Sequence, residues 1–221
     1  MPSELQDTLL SFTMAEKQLT ERSKNRIGES FNYFVSLEVK CDGDHRNFCD
    51  QVEEFQHKTL SMFPQHEGKV AKLDTLHITL ATLKVNEEEE VFVKQAITDA
   101  VEQFKQTYSE ENGIRVNFQG ISTFRDVIYL EMALGANSFH TFKDILMYRG
   151  LHRYVTDEWQ DPHLTYIRKM ELNETEKDTL MTMMDDIQTE KITLDNLSLR
   201  ERKQAGGQVK PPLREWCLWK E

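Results

Sequence analysis

The order strand, helix, short polar-faced strand, helix occurs twice in this chain, and each short strand carries a histidine and a threonine two positions apart. The two segments are Leu76-His77-Ile78-Thr79-Leu80 and Pro162-His163-Leu164-Thr165-Tyr166. Along a β-strand, residues i and i+2 share a face while i+1 points to the other. Each segment therefore sets an imidazole beside a hydroxyl on one surface and sends Ile78 or Leu164 into a core. A fold of two equivalent lobes, each giving one His and one Thr to a shared cleft, satisfies the pattern. Two facing imidazoles with hydroxyls beside them form an acid–base pair built around a phosphate.

The tripeptide alone is weak evidence, since seven histidines are spread over 221 residues. His57-Lys58-Thr59 has the same spacing. It falls in a stretch of helical period (Phe48, Val52, Phe55), where i and i+2 diverge around the axis, and its middle residue is charged. We set it aside. The plain alternative for His77 and His163 is a pair of hydrogen-bonded structural histidines at strand ends.

The rest of the chain orders itself around the motifs. Residues 1–30 read as a weak helix (Leu5, Leu9, Leu10) and a polar linker. Phe31 to Val39 reads as a strand, and the Asp42-Gly43-Asp44 turn opens a helix. In the first motif strand Leu76, Ile78 and Leu80 should face inward, and Thr75, His77, Thr79 and Ala81 the other way. Asn86 before Glu87–Glu90 reads as a capped helix start, continued by Val93, Ile97, Ala100, Val101, Phe104 and Tyr108. Val116 to Phe118 and Ile121 to Met132 read as strands around Gly120, followed by a helix from about Ser138 to Val155. Asn173 with Glu176 resembles a capping box, and Met183 and Met184 beyond it read as core filling. Strands at Ile192–Leu199 and Leu213–Trp219, flanking Gly206-Gly207, could close a hairpin.

Composition narrows the class. Hydrophobic content of 38% with 12 Phe and 3 Trp supports a real core. No apolar run reaches the ~18 residues of a membrane span, and no basic start followed by an apolar stretch suggests a signal peptide. Cys41, Cys49 and Cys217 suggest neither a paired framework nor a zinc site, which fits a reduced cytoplasmic or nuclear compartment. A net charge of −11 argues against a broad basic face for long nucleic acid, yet leaves room for one locally basic cleft. Basic residues gather in Arg200, Arg202, Lys203, Lys210, Arg214 and Lys220, and Arg168-Lys169 follows the second motif.

With Phe31–Leu37 and Phe118-Gln119-Gly120-Ile121-Ser122-Thr123-Phe124 beside them, the paired motifs resemble the two-histidine (2H) phosphoesterases. Within that superfamily the likeness is to the branch around the central domain of A-kinase anchoring protein seven. It covers roughly Phe31 to Trp219, and both motifs are complete. The resemblance implies an α+β, bilobal, pseudo-twofold fold over residues 31–221. Each lobe would be an antiparallel sheet with outer helices, and the two would share a central cleft. It also implies catalysis by His77, Thr79, His163 and Thr165 with no cofactor or metal, and 2′,5′-oligoadenylate as substrate.

The chemistry is consistent with the residue types. A phosphodiester beside a free ribose hydroxyl is cleaved by internal attack, which needs one proton acceptor and one donor. Two imidazoles supply both, and threonine hydroxyls can donate to the charging phosphoryl oxygens. The motifs do not say which histidine is base and which acid. Candidate base or phosphate contacts are Phe34, Phe124, Tyr166, Arg125 and Arg168. Competing readings are a 2′,3′-cyclic or general RNA phosphodiesterase, a nucleotide-binding module with little turnover, and an interaction domain using its acidic surface. The expected partner is a short oligoribonucleotide or nucleotide bound by a monomer, with no membrane and no long duplex.

Overall fold

A computed structural model describes residues 30–66, 68–108, 113–156, 161–202 and 212–218. The expected helix near Leu5–Leu10, its linker and the Gly206-Gly207 loop fall outside those residues. The first half runs β1 (Tyr33–Glu38), α1 (Arg46–Met62), β2 (Lys69–Val70), β3 (His77–Leu83) and α2 (Glu90–Thr107). The second runs β4 (Ile114–Phe124), β5 (Val127–Leu134), α3 (Ala136–Tyr148), β6 (His163–Arg168) and α4 (Glu174–Met183). Three short strands finish the chain: β7 (Ile192–Leu194), β8 (Asn196–Glu201) and β9 (Arg214–Cys217). They assemble as two antiparallel sheets, ordered β3-β1-β8-β9 and β2-β6-β5-β4-β7. This is the α+β architecture of antiparallel sheets that the resemblance implied.

The helices form where an apolar stripe meets a capped start. In α2, Val93, Ala96, Ile97, Ala100, Val101 and Phe104 recur at three- and four-residue intervals, and all are buried. Asn86 and Glu89 close a capping box ahead of that helix, as Asn173 and Glu176 do ahead of α4. Phe104 of α2 meets Phe142 of α3 at 4.6 Å between ring centroids, while Phe48 of α1 reaches Phe118 of β4.

Several expectations need correction. The single strand expected over Ile121–Met132 is the end of β4, a two-residue turn Arg125-Asp126, and β5. That turn lacks the Asn-Gly or Asp-Gly signal because its left-handed position holds Arg125, at φ 56°. A non-glycine residue there costs on the order of 1 kcal/mol. Ile192–Leu199 is likewise two strands in different sheets, broken at Asp195, where the apolar alternation changes phase from Ile192 and Leu194 to Leu197 and Leu199. The helix expected to reach Val155 stops at Tyr148, before Gly150 at φ 111°. Met184 is in the core but Met183 is exposed.

Cys41 and Cys49 form a disulfide, their Cα atoms 5.7 Å apart across the loop between β1 and α1. The expected absence of any pairing is thus overturned, and with it the argument from cysteine usage to a reducing compartment. Among the described residues no helix is long and apolar enough to cross a membrane.

One irregularity, repeated in both sheets, sets the geometry of the site. β1 pairs with β3 as Glu38↔His77, Leu37↔Ile78 and Ser36↔Thr79, and then as Val35↔Ala81, so Leu80 is an extra residue. β5 pairs with β6 as Glu131↔His163, Leu130↔Leu164 and Tyr129↔Thr165, and then as Ile128↔Ile167, so Tyr166 is the extra one. Each motif strand bulges immediately after its threonine. A bulge shifts the side-chain phase by one. Leu80 and Ala81 are therefore both buried, as are Tyr166 and Ile167. Ala81, expected on the polar face, is in the core. Thr82 and Arg168 return to the face that carries the histidines, across the ladder from Phe34 and Val127.

Candidate active site

The two motif strands hold their histidines in the same way. β3 and β6 touch each other between the sheets. His77 Nδ1 lies 2.8 Å from the carbonyl oxygen of Thr75, and His163 Nδ1 lies 3.0 Å from that of Asp161. A carbonyl only accepts, so each Nδ1 carries the proton and donates it two residues back. Nε2 is left as the nitrogen that exchanges protons in the cleft. His45 and His152 also place Nδ1 against a backbone carbonyl, so what marks this pair is that both motif histidines make the bond two residues back on a matching strand. The decoy lies within α1, with His57 exposed.

The surroundings of the two histidines differ. Burial holds the His77 imidazole below its ordinary 6.5, with Arg168 and Arg200 pushing the same way. The Thr75 carbonyl and Glu38 oppose that shift. Phe34, half-buried, stacks against the His77 ring at 5.3 Å, and Tyr129 lies 4.5 Å from the ring of His163.

Each histidine faces a glutamate across the ladder, and the two glutamates are handled differently. Glu38 is buried and takes a two-pronged ion pair from Arg200, Nη2 to Oε2 at 2.6 Å and Nε to Oε1 at 3.0 Å. The hydroxyls of Ser36 and Ser198, themselves cross-strand neighbours, donate to the same carboxylate. Glu131 is exposed and lines a cavity of about 710 Å³ with Phe124, Val127, Tyr129, Asp161, His163, Thr165 and Arg168.

Of the candidate contacts, Phe124, Arg168 and the His163–Thr165 pair share this cavity, and Arg125 lies over the Phe124 ring at 5.1 Å. Tyr166 does not reach it. As the bulge residue it points to the helix side, fully buried, with its hydroxyl 3.2 Å from Thr59 and its carbonyl taking a hydrogen bond from Gln56. Burial pushes that hydroxyl's pKa up, which suits an anchor and not a proton carrier. The C-terminal basic cluster is not a free cationic face either. Arg200 is committed to Glu38, Arg202 lies over Phe31, and Arg214 lies over Trp216. Lys203, Lys210 and Lys220 fall outside the described residues.

Sequence reasoning missed Ser36, Glu38, Tyr129 and Glu131. Alternation along the neighbouring strands held the signal: Phe34, Ser36 and Glu38 share a face, as do Val127, Tyr129 and Glu131. Among the described residues no group of three His, Cys, Asp or Glu side chains could hold a metal ion.

Comparison with known proteins places this geometry. LigT from E. coli, crystallised with 3′-AMP, superposes with a TM-score of 0.57 at 15% identity, over 86% of this chain and 98% of LigT. TT0787 of Thermus thermophilus gives 0.58 at 16% identity, over 85% of this chain and 97% of its own. The PDE domain of MHV ns2 gives 0.55 at 16%, over 79% of this chain and all of that domain. No curated protein sequence matches the chain. The sequence of residues 31–204 matches the AKAP7 2′5′ RNA ligase-like domain. The chain therefore belongs to that family, a branch of the 2H phosphoesterases, whose chemistry is the cleavage of phosphodiesters.

Proposed function

We propose that the protein is a metal-independent phosphodiesterase of short oligoribonucleotides, with 2′,5′-oligoadenylate as its substrate. The observation that carries this reading is the matched pair of Nδ1-anchored histidines, each with a threonine hydroxyl beside it on a bulged strand. His77, kept neutral by burial, suits the base that takes the proton from the attacking ribose hydroxyl. His163 then protonates the departing oxygen. Thr79 and Thr165 donate to the phosphoryl oxygens as charge builds. Both proton transfers are supplied by side chains, so chelator is expected to leave the rate unchanged. LigT has been crystallised with 3′-AMP, ATP and NADP+, and similar nucleotides fit the expected ligand class. The protein acts as a monomer on this reading.

The linkage is tested with 2′,5′-linked triadenylate against its 3′,5′ isomer. Internal attack needs a free neighbouring hydroxyl, the 3′ in one isomer and the 2′ in the other, and the leaving chain departs in different directions. Misplacement by ~1 Å costs about 10² in rate. The 2′,5′ isomer is expected to be cleaved well ahead, and DNA not at all. Equal rates would make this a general RNA phosphodiesterase, and turnover of 2′,3′-cyclic phosphates alone would make it a cyclic phosphodiesterase.

The pH profile tests the proton roles. The pair should give a bell whose limbs belong to both groups together. A base whose pKa is lowered stays unprotonated further into acid, so the midpoint of the acidic limb in kcat/KM should lie below 6.5. A midpoint at or above that value would remove His77 from the base role.

A further inference from the structure

The cavity beside His163 is electrically uneven along its length. At one end the hairpin tip carries Phe124 and Arg125, and Arg168 lines the wall opposite Val127. Lys69 is the cross-strand partner of Arg168, so it shares that face. None of these three cations is in an ion pair among the described residues. At the other end Glu131 and Asp161 lie exposed around His163. Asp126, the acidic residue of the tip, faces a separate small hollow with His66, Lys169 and Glu171.

Two features set the tip apart from an ordinary charged turn. Phe124 is 56% exposed at the cavity mouth, with the Arg125 guanidinium over its ring. An exposed aromatic next to cations is the pairing that binds an unpaired base and its phosphate. Arg125 is also held left-handed, at φ 56°, where glycine would sit without strain. Across the bulge Thr165 and Arg168 stand opposite Tyr129 and Val127, two residues apart and roughly 7 Å of strand. That is the reach of one further nucleotide along an extended backbone.

We propose that the cavity takes an oligonucleotide in one direction. The phosphate next to the scissile one lies against Arg125, Lys69 and Arg168, with its base on Phe124, and the Glu131–Asp161 end receives a terminus that bears no phosphate. This rests on the phosphodiesterase reading above, which it extends from a single reacting phosphate to a second phosphate position and a chain polarity.

Binding decides it without turnover. A His77→Ala variant, in which turnover is suppressed, is titrated calorimetrically with 2′,5′- and 3′,5′-linked diadenylate and triadenylate. Triadenylate is expected to bind at least tenfold more tightly than diadenylate, with a salt slope steeper by about 0.7 for the added phosphate contact. In the Arg125→Gly background that advantage disappears while diadenylate affinity holds, and Tm does not fall because glycine suits the backbone there. Arg125→Lys keeps most of the advantage. A phosphate added to one terminus of triadenylate should weaken binding, and Glu131→Gln should relieve that penalty; the same phosphate on the other terminus should not weaken it. Equal affinity for the two chain lengths, an advantage that survives Arg125→Gly, or equal penalties at both termini would overturn the proposal. An error in the linkage would show separately, as the same length effect on the 3′,5′ series and no cleavage of the 2′,5′ series by the unaltered protein.

Discussion

Alanine in place of His77 or His163 is expected to lower turnover by ~10²-fold or more, and alanine at both positions by little beyond that. The two imidazoles hold complementary protonation states in one step, so losing either leaves the other without a task. Their hydrogen bonds to Thr75 and Asp161 orient the rings and tie down no other side chain. Stability should therefore shift only modestly, which separates lost chemistry from lost fold. His57→Ala, on the exposed face of α1, should be silent in both assays. Steady-state rates with thermal melts provide the check, and full activity in either single variant would remove that histidine from the mechanism.

Arg200→Ala should cost about 3–5 kcal/mol of stability. Glu38 is 6% exposed and would lose its ion-pair partner, leaving the Ser36 and Ser198 hydroxyls as its hydrogen-bond donors. In a chain of this size each kcal/mol moves Tm by about 2–4 °C, so a drop of about 10 °C is expected. Replacing both partners, as Glu38→Leu with Arg200→Met, should recover most of the loss, because no charge is then left unpaired. Denaturant midpoints of the three proteins measure this. A loss below about 1 kcal/mol in Arg200→Ala would mean that water reaches Glu38 freely.

The architecture was legible in the chain because its signals are local and doubled. Helical spacing in α2, the Asn86–Glu89 and Asn173–Glu176 caps, and the two His-x-Thr segments can each be read within a single element. What escaped depended on partners distant in sequence or on exceptions to local rules. Glu38 looks like any strand-end carboxylate until β8 brings Ser198 and Arg200 alongside it. The Arg125-Asp126 turn hides because arginine is the wrong residue for a left-handed backbone. The Cys41–Cys49 pair depends on how the chain turns between β1 and α1, which an eight-residue spacing does not state. Tyr166 was misplaced at the cleft by its position beside the motif, although simple alternation already put it on the opposite face from His163 and Thr165. The doubled apolar residues Leu80-Ala81 and Tyr166-Ile167 were the available sign of the bulges.

Those bulges decide where β3 and β6 can change length. Removing one residue from the apolar pair, Leu80 or Tyr166, would restore plain alternation with every remaining side chain on its present face. Thr82 and Arg168 would still look into the cleft, although the bend after the threonine would be lost. Removing a residue inside the motif, such as Ile78 or Leu164, would instead turn one part of the strand over relative to the other. An insertion or deletion between close relatives is thus tolerable in phase at the position after the threonine and ruinous two residues earlier. A one-residue gap belongs there when more divergent sequences are threaded onto this fold.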